Sequence, residues 1–146
     1  MTPQIIVVDA SVAIKRVVTE AGSDRATILF RRLIDEPSTV FVVPDLFYAE
    51  CANILWKRVK RGETTPELAR INERFLRDLP LCVFSLRDIS GRGLELALQY
   101  DLSVYDGCYA ALAEQLAAPL VTADEKLVRK LIGAAFKVVS LSNWTV

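Results

Sequence analysis

The run Ile5-Ile-Val-Val8 restricts what this chain can fold into more than any other stretch. Four consecutive β-branched residues with no polar alternation describe a strand buried on both faces, and such strands belong to parallel sheets covered by helices. Comparable short apolar runs follow at Val40-Phe-Val-Val43, Leu81-Cys-Val-Phe84, Pro119 to Thr122 and Phe136 to Leu141. Helical patterns lie between them: Val12 to Val18, Ser23 to Asp35, Leu46 to Arg61 closed by Gly62, Pro66 to about Asp78, Asp88 to Tyr100, Val104 to Ala117, and Asp124 to about Ile132. In the second of these, Ala26, Leu29, Phe30, Leu33 and Ile34 are spaced for one buried face. Asp45 is placed to cap the third, while Gly91 and Gly93 weaken the first turn of the fifth. Strands alternating with helices predict a single α/β domain over residues 1–146, with a mostly parallel sheet of five strands.

That topology has a consequence for acidic residues. In an open parallel sheet, ligands bind in the crevice outside the carboxyl ends of the strands. Asp9 ends the first strand, and Asp124 follows the fourth. Asp106 lies in the first turn of the helix that leads back to that fourth strand, which puts it at the same edge. Glu50 lies five residues into the helix after Asp45, roughly 7 Å along its axis at 1.5 Å per residue.

Each acid also has a plain structural use. Asp9 or Ser11 serves as an N-cap, Ser103 and Asp106 have the spacing of a capping box, and Asp124 favours a helix N-terminus. Thr122 and Glu125 have capping-box spacing as well. Glu50 is different, because nearly all its neighbours in Leu46-Phe-Tyr-Ala-Glu-Cys-Ala-Asn-Ile-Leu-Trp56 are apolar or small. A carboxylate there is costly to bury without an Arg, a Lys or a metal ion.

The set is more demanding than its members. Two carboxylates about 4 Å apart repel by roughly 4 kcal/mol at an effective dielectric of 20. Three or four at one rim must be protonated, matched by cations, or arranged around a divalent ion. The chain has no histidine, which removes the usual general base and every imidazole-ligated metal site. An all-carboxylate site suits Mg²⁺ or Mn²⁺, and the chemistry that follows is metal-assisted phosphodiester hydrolysis.

Composition narrows the remaining classes. The 52% hydrophobic content supports a packed core, and no apolar run nears the 18 or so residues of a membrane span. No secretory h-region follows Met1-Thr-Pro, so a cytoplasmic protein is expected. Cys51, Cys82 and Cys108 stand singly in apolar stretches and are expected as buried free thiols. With 18 basic and 18 acidic residues, any affinity for nucleic acid must be local. The candidate patches are Lys57-Arg58 with Lys60-Arg61, and Lys126, Arg129 and Lys130; solvated residues complementing helix C-termini would look the same.

Over nearly its whole length the sequence resembles the PIN domain family, and in detail the VapC toxins of bacterial toxin–antitoxin pairs. The likeness is carried by Ile5-Ile-Val-Val-Asp-Ala-Ser-Val-Ala-Ile-Lys15, by Glu50-Cys-Ala-Asn-Ile-Leu55, by Leu102-Ser-Val-Tyr-Asp-Gly-Cys-Tyr-Ala-Ala-Leu-Ala113, and by Thr122-Ala-Asp124. Arg16 departs from the aromatic residue that many relatives carry there. The resemblance implies a three-layer α/β/α domain in which Asp9, Glu50, Asp106 and Asp124 are catalytic and hold Mg²⁺ or Mn²⁺. Ser11 and Thr122 are implied as hydroxyl contacts, with Asn53 as a further neighbour of the site. It further implies an endoribonuclease acting on RNA, a homodimer, and a VapB-type antitoxin that blocks the site. Phe30, Phe47, Leu55 and Trp56 are candidates for the apolar groove such a partner needs; core positions would have the same composition.

Two other readings compete with this one. A phosphate-transferring or phospho-accepting α/β domain would use Asp9 as nucleophile, but phosphatases of that type have D-x-D where this chain has Asp9-Ala-Ser11. Receivers place an acceptor after strand three, where Ser85-Leu86 stands. The other is a catalytically silent PIN-like module that only binds a partner.

Overall fold

Gln4–Val8 forms β1 at the centre of the sheet, with Ile6, Val7 and Val8 completely buried. The computed structural model describes residues 2–145. β2 (Thr39–Pro44) and β3 (Cys82–Phe84) extend the sheet on one side, and β4 (Leu120–Thr122) and β5 (Val138–Ser140) on the other. The order is β3-β2-β1-β4-β5, and every neighbouring pair is parallel. The expected mostly parallel sheet is therefore wholly parallel among the described residues.

Side chains alternate across the pleat, which divides the core in two. Ile6, Val8, Phe41 and Val43 face one layer, formed by α1 (Ala10–Ala13), α2 (Ser23–Asp35), α3 (Leu46–Lys60) and α4 (Pro66–Arg77). Val7, Val42 and Leu120 face the other, formed by α5 (Leu86–Tyr100), α6 (Val104–Leu116) and α7 (Glu125–Lys130). The result is the three-layer α/β/α arrangement.

α6 is the most enclosed helix: all residues from Gly107 to Ala113 are buried. It owes this to a close approach to α5. A Cβ built on Gly107 would lie 2.2 Å from the Gly93 carbonyl oxygen, and one on Gly93 would lie 2.9 Å from Cys108 Sγ. Gly93, read from sequence as a weakness in the helix, is in fact the contact that seats α6.

Several local expectations are corrected. α1 starts two residues earlier than the Val12 expected and tightens into a 3₁₀ turn at Ile14–Arg16. Asp45 precedes α3 but makes no cap; its Oδ1 accepts from the amide of Leu86 at 3.1 Å, tying α5 to the sheet edge. Ile34 is 81% exposed, because at 100° per residue it falls roughly 90° from the centre of the buried stripe. Cys82 is exposed on β3, an edge strand, whereas Cys51 and Cys108 are buried as expected. No helix among the described residues is long and apolar enough to cross a membrane.

Candidate active site

The sheet register brings the first and last acids together. β1 pairs with β4 through Val8 and Val121, and the Asp9 amide donates to the Val121 carbonyl at 3.0 Å. Asp9 and the segment Thr122–Asp124 therefore leave the sheet side by side at its carboxyl edge. Asp9 occupies the N-cap position of α1 but makes no side-chain cap. Its Oδ2 instead accepts from Thr122 Oγ1 at 2.7 Å and Ser11 Oγ at 2.8 Å. Thr122 Oγ1 in turn accepts from the Asp124 amide at 3.1 Å, and Ser11 Oγ from the Ala123 amide at 3.0 Å. These hydroxyls are clamped between backbone and carboxylate, so Asp9 is held at both ends of a short network.

Asp9 is only 6% exposed, and burial raises its pKa; the Thr122 and Ser11 hydrogen bonds oppose the rise, and Asp124 adds to it. Glu50, half-buried on α3, accepts from the Tyr109 hydroxyl of α6 at 2.7 Å. Burial pushes its carboxyl up to about 7, against the Tyr109 hydrogen bond and with added repulsion from Asp9 and Asp106. Asp106, in the first turn of α6, is pushed up to about 6 by burial and by Asp9, with Ser103 and Lys130 working the other way. The Ser103 hydroxyl caps α6 by accepting the Asp106 amide at 3.1 Å, so half of the capping box forms while the acid stays available.

Asp124 does cap. Its Oδ1 accepts from the amides of Lys126 and Leu127 at 3.0 and 3.3 Å. The alternative box of Thr122 and Glu125 is not formed, since Glu125 accepts from the hydroxyls of Ser140 and Ser142. Asn53 lies one turn beyond Glu50 and lines a cleft with it, together with Leu46, Ala49 and Tyr105. Asp106 and Asp124 line a second cleft of about 220 Å³ with Ser103, Lys126 and Lys130.

The four acids thus act on one another through space, yet among the described residues none of them forms an ion pair with Lys or Arg. The Arg or Lys partner that would have explained Glu50 is absent there; its partner is Tyr109. In this side-chain arrangement no three Asp, Glu, His or Cys among the described residues stand close enough to form a metal-holding group. The acids share an electrostatic field without sharing a coordination sphere. Sequence reasoning missed Tyr109. Its signal was its position three residues after Asp106, on the same helix face and in an otherwise small, apolar stretch.

The geometry agrees with comparisons to known proteins. The PIN domain model matches residues 6–131. The chain is 33% identical over 130 residues to "Ribonuclease VapC3" of Pyrobaculum aerophilum, covering 86% of this chain and 93% of that protein. It is 32% identical over 123 residues to "Ribonuclease VapC1" of Mycobacterium tuberculosis, covering 83% and 86%. Among solved structures, PAE2754 from Pyrobaculum aerophilum superposes with a TM-score of 0.68 at 21% identity, over 95% of this chain and 85% of that one. VapBC2 from Rickettsia felis, bound to a promoter DNA fragment, gives 0.66 at 14% identity over 94% and 98%. Sheet order, carboxyl-edge acids and sequence relatives agree: this chain belongs to the PIN domain family, and its relatives include ribonucleases of the VapC type.

Proposed function

We propose that this protein is a metal-dependent endoribonuclease of the VapC type, the toxin of a toxin–antitoxin pair, hydrolysing RNA phosphodiester bonds with Mg²⁺ or Mn²⁺. The observation that carries the reading is Asp9: a carboxylate 6% exposed, oriented by two hydroxyls, within the electrostatic reach of Glu50, Asp106 and Asp124, and paired with no cation among the described residues. An all-oxygen donor set with unbalanced negative charge fits a hard divalent ion. Asp9, Glu50, Asp106 and Asp124 would hold it, with Asp9 and Asp106 as the principal ligands. When bound, the ion would polarise the phosphate and acidify water for attack on phosphorus. The chain's own part is positional. Ser11 and Thr122 orient Asp9, Tyr109 holds Glu50, and the Asp124 cap joins the fourth acid to α7.

Two surfaces support the partners proposed with this activity. A groove of about 280 Å³ between α3 and α4 is lined by Ala52, Leu55, Trp56, Val59, Pro66 and Ala69, and we assign it to a VapB-type antitoxin. Of the groove candidates read from sequence, Phe30 and Phe47 are core, Leu55 is buried at its base, and Trp56 is 57% exposed. Leu94 and Leu98, one turn apart on α5, are 47% and 71% exposed, which favours a homodimer through that face.

The test is Asp9→Asn and Asp106→Asn, assayed for Mg²⁺-dependent RNA cleavage and growth inhibition. Both are expected to lose activity with the fold intact. Full activity in both would end the reading, and failure of the wild-type protein to bind Mg²⁺ or Mn²⁺ at millimolar concentration by calorimetry would favour a silent partner-binding module.

A further inference from the structure

Two basic groups stand out in the sequence, and the fold gives them different uses. In the first, Arg58 lies 3.7 Å from Glu20 and 3.4 Å from Glu63, and Lys60 sits over the Trp56 ring. In the second, Lys126 and Lys130 line the same cleft as Asp106 and Asp124, while Arg129 does not. The two lysines are four residues apart on α7, so they project from one face as neighbours.

Neither lysine forms an ion pair with Asp106 or Asp124 among the described residues, although Lys130 favours the charged form of Asp106 through space. Among the described residues Lys126 forms no ion pair, and its backbone amide, not its ammonium, contacts Asp124. Lys130 reaches the carbonyl of Asp101 and stands 3.8 Å from that residue's fully exposed carboxylate. Two ammonium groups thus line an acid-lined cleft; Lys126 has no side-chain hydrogen bond or ion pair among the described residues, and Lys130 is engaged only with Asp101. A purely structural pair would be matched to the carboxylates; a pair kept for a polyanion would not.

We propose that Lys126 and Lys130 form an anion subsite for a phosphate of the RNA backbone adjoining the scissile one, so that α7 sets the register of the strand across the acids. This rests on the ribonuclease reading, because the adjoining phosphate is defined by the bond being cut. It separates two tasks on one short element. Asp124 at the start of α7 belongs to the acidic centre, and the lysines two and six residues further on hold the neighbouring charge. Lys126 and Lys130 are positioning residues; they touch substrate without touching the reacting atoms.

The experiment measures binding and turnover separately. Affinity for a short fluorescent RNA is followed by anisotropy in EDTA over a range of salt, for wild type, Lys126→Ala, Lys130→Ala and Lys126→Arg. Each alanine variant is expected to weaken binding several-fold and to shrink the slope of log affinity against log salt by about 0.7, the share of one single-strand phosphate contact. In Mg²⁺ the same variants should raise KM and leave kcat nearly unchanged, and Lys126→Arg should retain wild-type behaviour. Lys126→Ala removes no side-chain hydrogen bond or ion pair among the described residues, so it reports on RNA even if Lys130→Ala proves destabilising through Asp101. Unchanged slope and KM in Lys126→Ala would overturn the proposal, as would a loss confined to kcat. A lysine-dependent salt slope in a wild-type protein that cleaves no RNA would keep the subsite and reject the ribonuclease.

Discussion

The Tyr109 hydroxyl donates to Glu50 Oε1 at 2.7 Å, joining two residues 59 positions apart and fastening α6 to α3 across the carboxyl edge of the sheet. Tyr109 is completely buried, and burial drives its own pKa upward, so it remains a neutral donor throughout the working range. The bond favours the charged form of Glu50 against burial and two neighbouring acids. Tyr109→Phe therefore removes a donor and leaves a half-buried carboxylate without its partner. The expected cost is about 1–2 kcal/mol in urea unfolding, and the pH at which Mg²⁺ binding reaches half its maximum should rise.

The metal-free protein should be less stable above neutral pH than at pH 5. Glu50 and Asp106 have folded-state pKa values of about 7 and about 6, raised from ordinary carboxylate values by burial and mutual repulsion. A raised acid binds more protons folded than unfolded. Its stabilising contribution is complete below the unfolded pKa and is lost as pH rises through the folded one. Glu36 and Glu114, lowered by Arg32 and Arg92, act in the opposite sense and only in more acid solution. In EDTA, Tm should fall by a few degrees between pH 5 and pH 8, as expected for about 1 kcal/mol in a domain this size. Saturating Mg²⁺ should remove most of that fall; a Tm rising steadily to pH 8 in EDTA would contradict the charge cluster.

Thr122→Val tests the clamp on Asp9. Thr122 is fully buried, donates to Asp9 Oδ2 and accepts from the Asp124 amide. The isosteric valine leaves Asp9 with Ser11 as its one hydroxyl donor and the Asp124 amide without its acceptor, at an expected cost of about 1–3 kcal/mol, with loss of cleavage exceeding the loss of fold. Thr122→Ser keeps the hydroxyl and should recover most activity. Thermal melts alongside initial rates decide the matter.

The glycines of α5 and α6 provide a structural control. Gly107→Ala would put a Cβ 2.2 Å from the Gly93 carbonyl oxygen, forcing the helices apart at an expected cost of about 1–3 kcal/mol or more and displacing the neighbouring Asp106. Gly91→Ala meets nothing within 4 Å in the same helix as Gly93. It should stabilise the protein by about 0.5–1 kcal/mol through helix propensity alone. Circular dichroism melts of the two variants should move in opposite directions.

The α/β class, the positions of the five strands and the edge to which the acids are sent were legible in the sequence, because hydrophobic period and strand–helix alternation are local signals; the three-layer form came from the resemblance to the PIN family. So was the peculiarity of Glu50, a charge among apolar neighbours. Local signals did not reveal which capping signature was used. Asp9, Asp45, Asp106 and Asp124 all look like N-terminal acids, yet only Asp124 caps its own helix; Asp9 turns to Ser11 and Thr122, and Asp45 to Leu86. A carboxylate takes whichever donors are nearest, and here these include groups from other elements: Thr122 for Asp9, placed by the parallel register of β1 and β4, and Leu86 for Asp45. The Tyr109–Glu50 bond, the glycine contact of α5 with α6, the exposure of Cys82 on an edge strand and the sorting of two basic clusters are likewise tertiary decisions. Each depends on which element lies beside which, and that neighbourhood is set by packing across the whole chain.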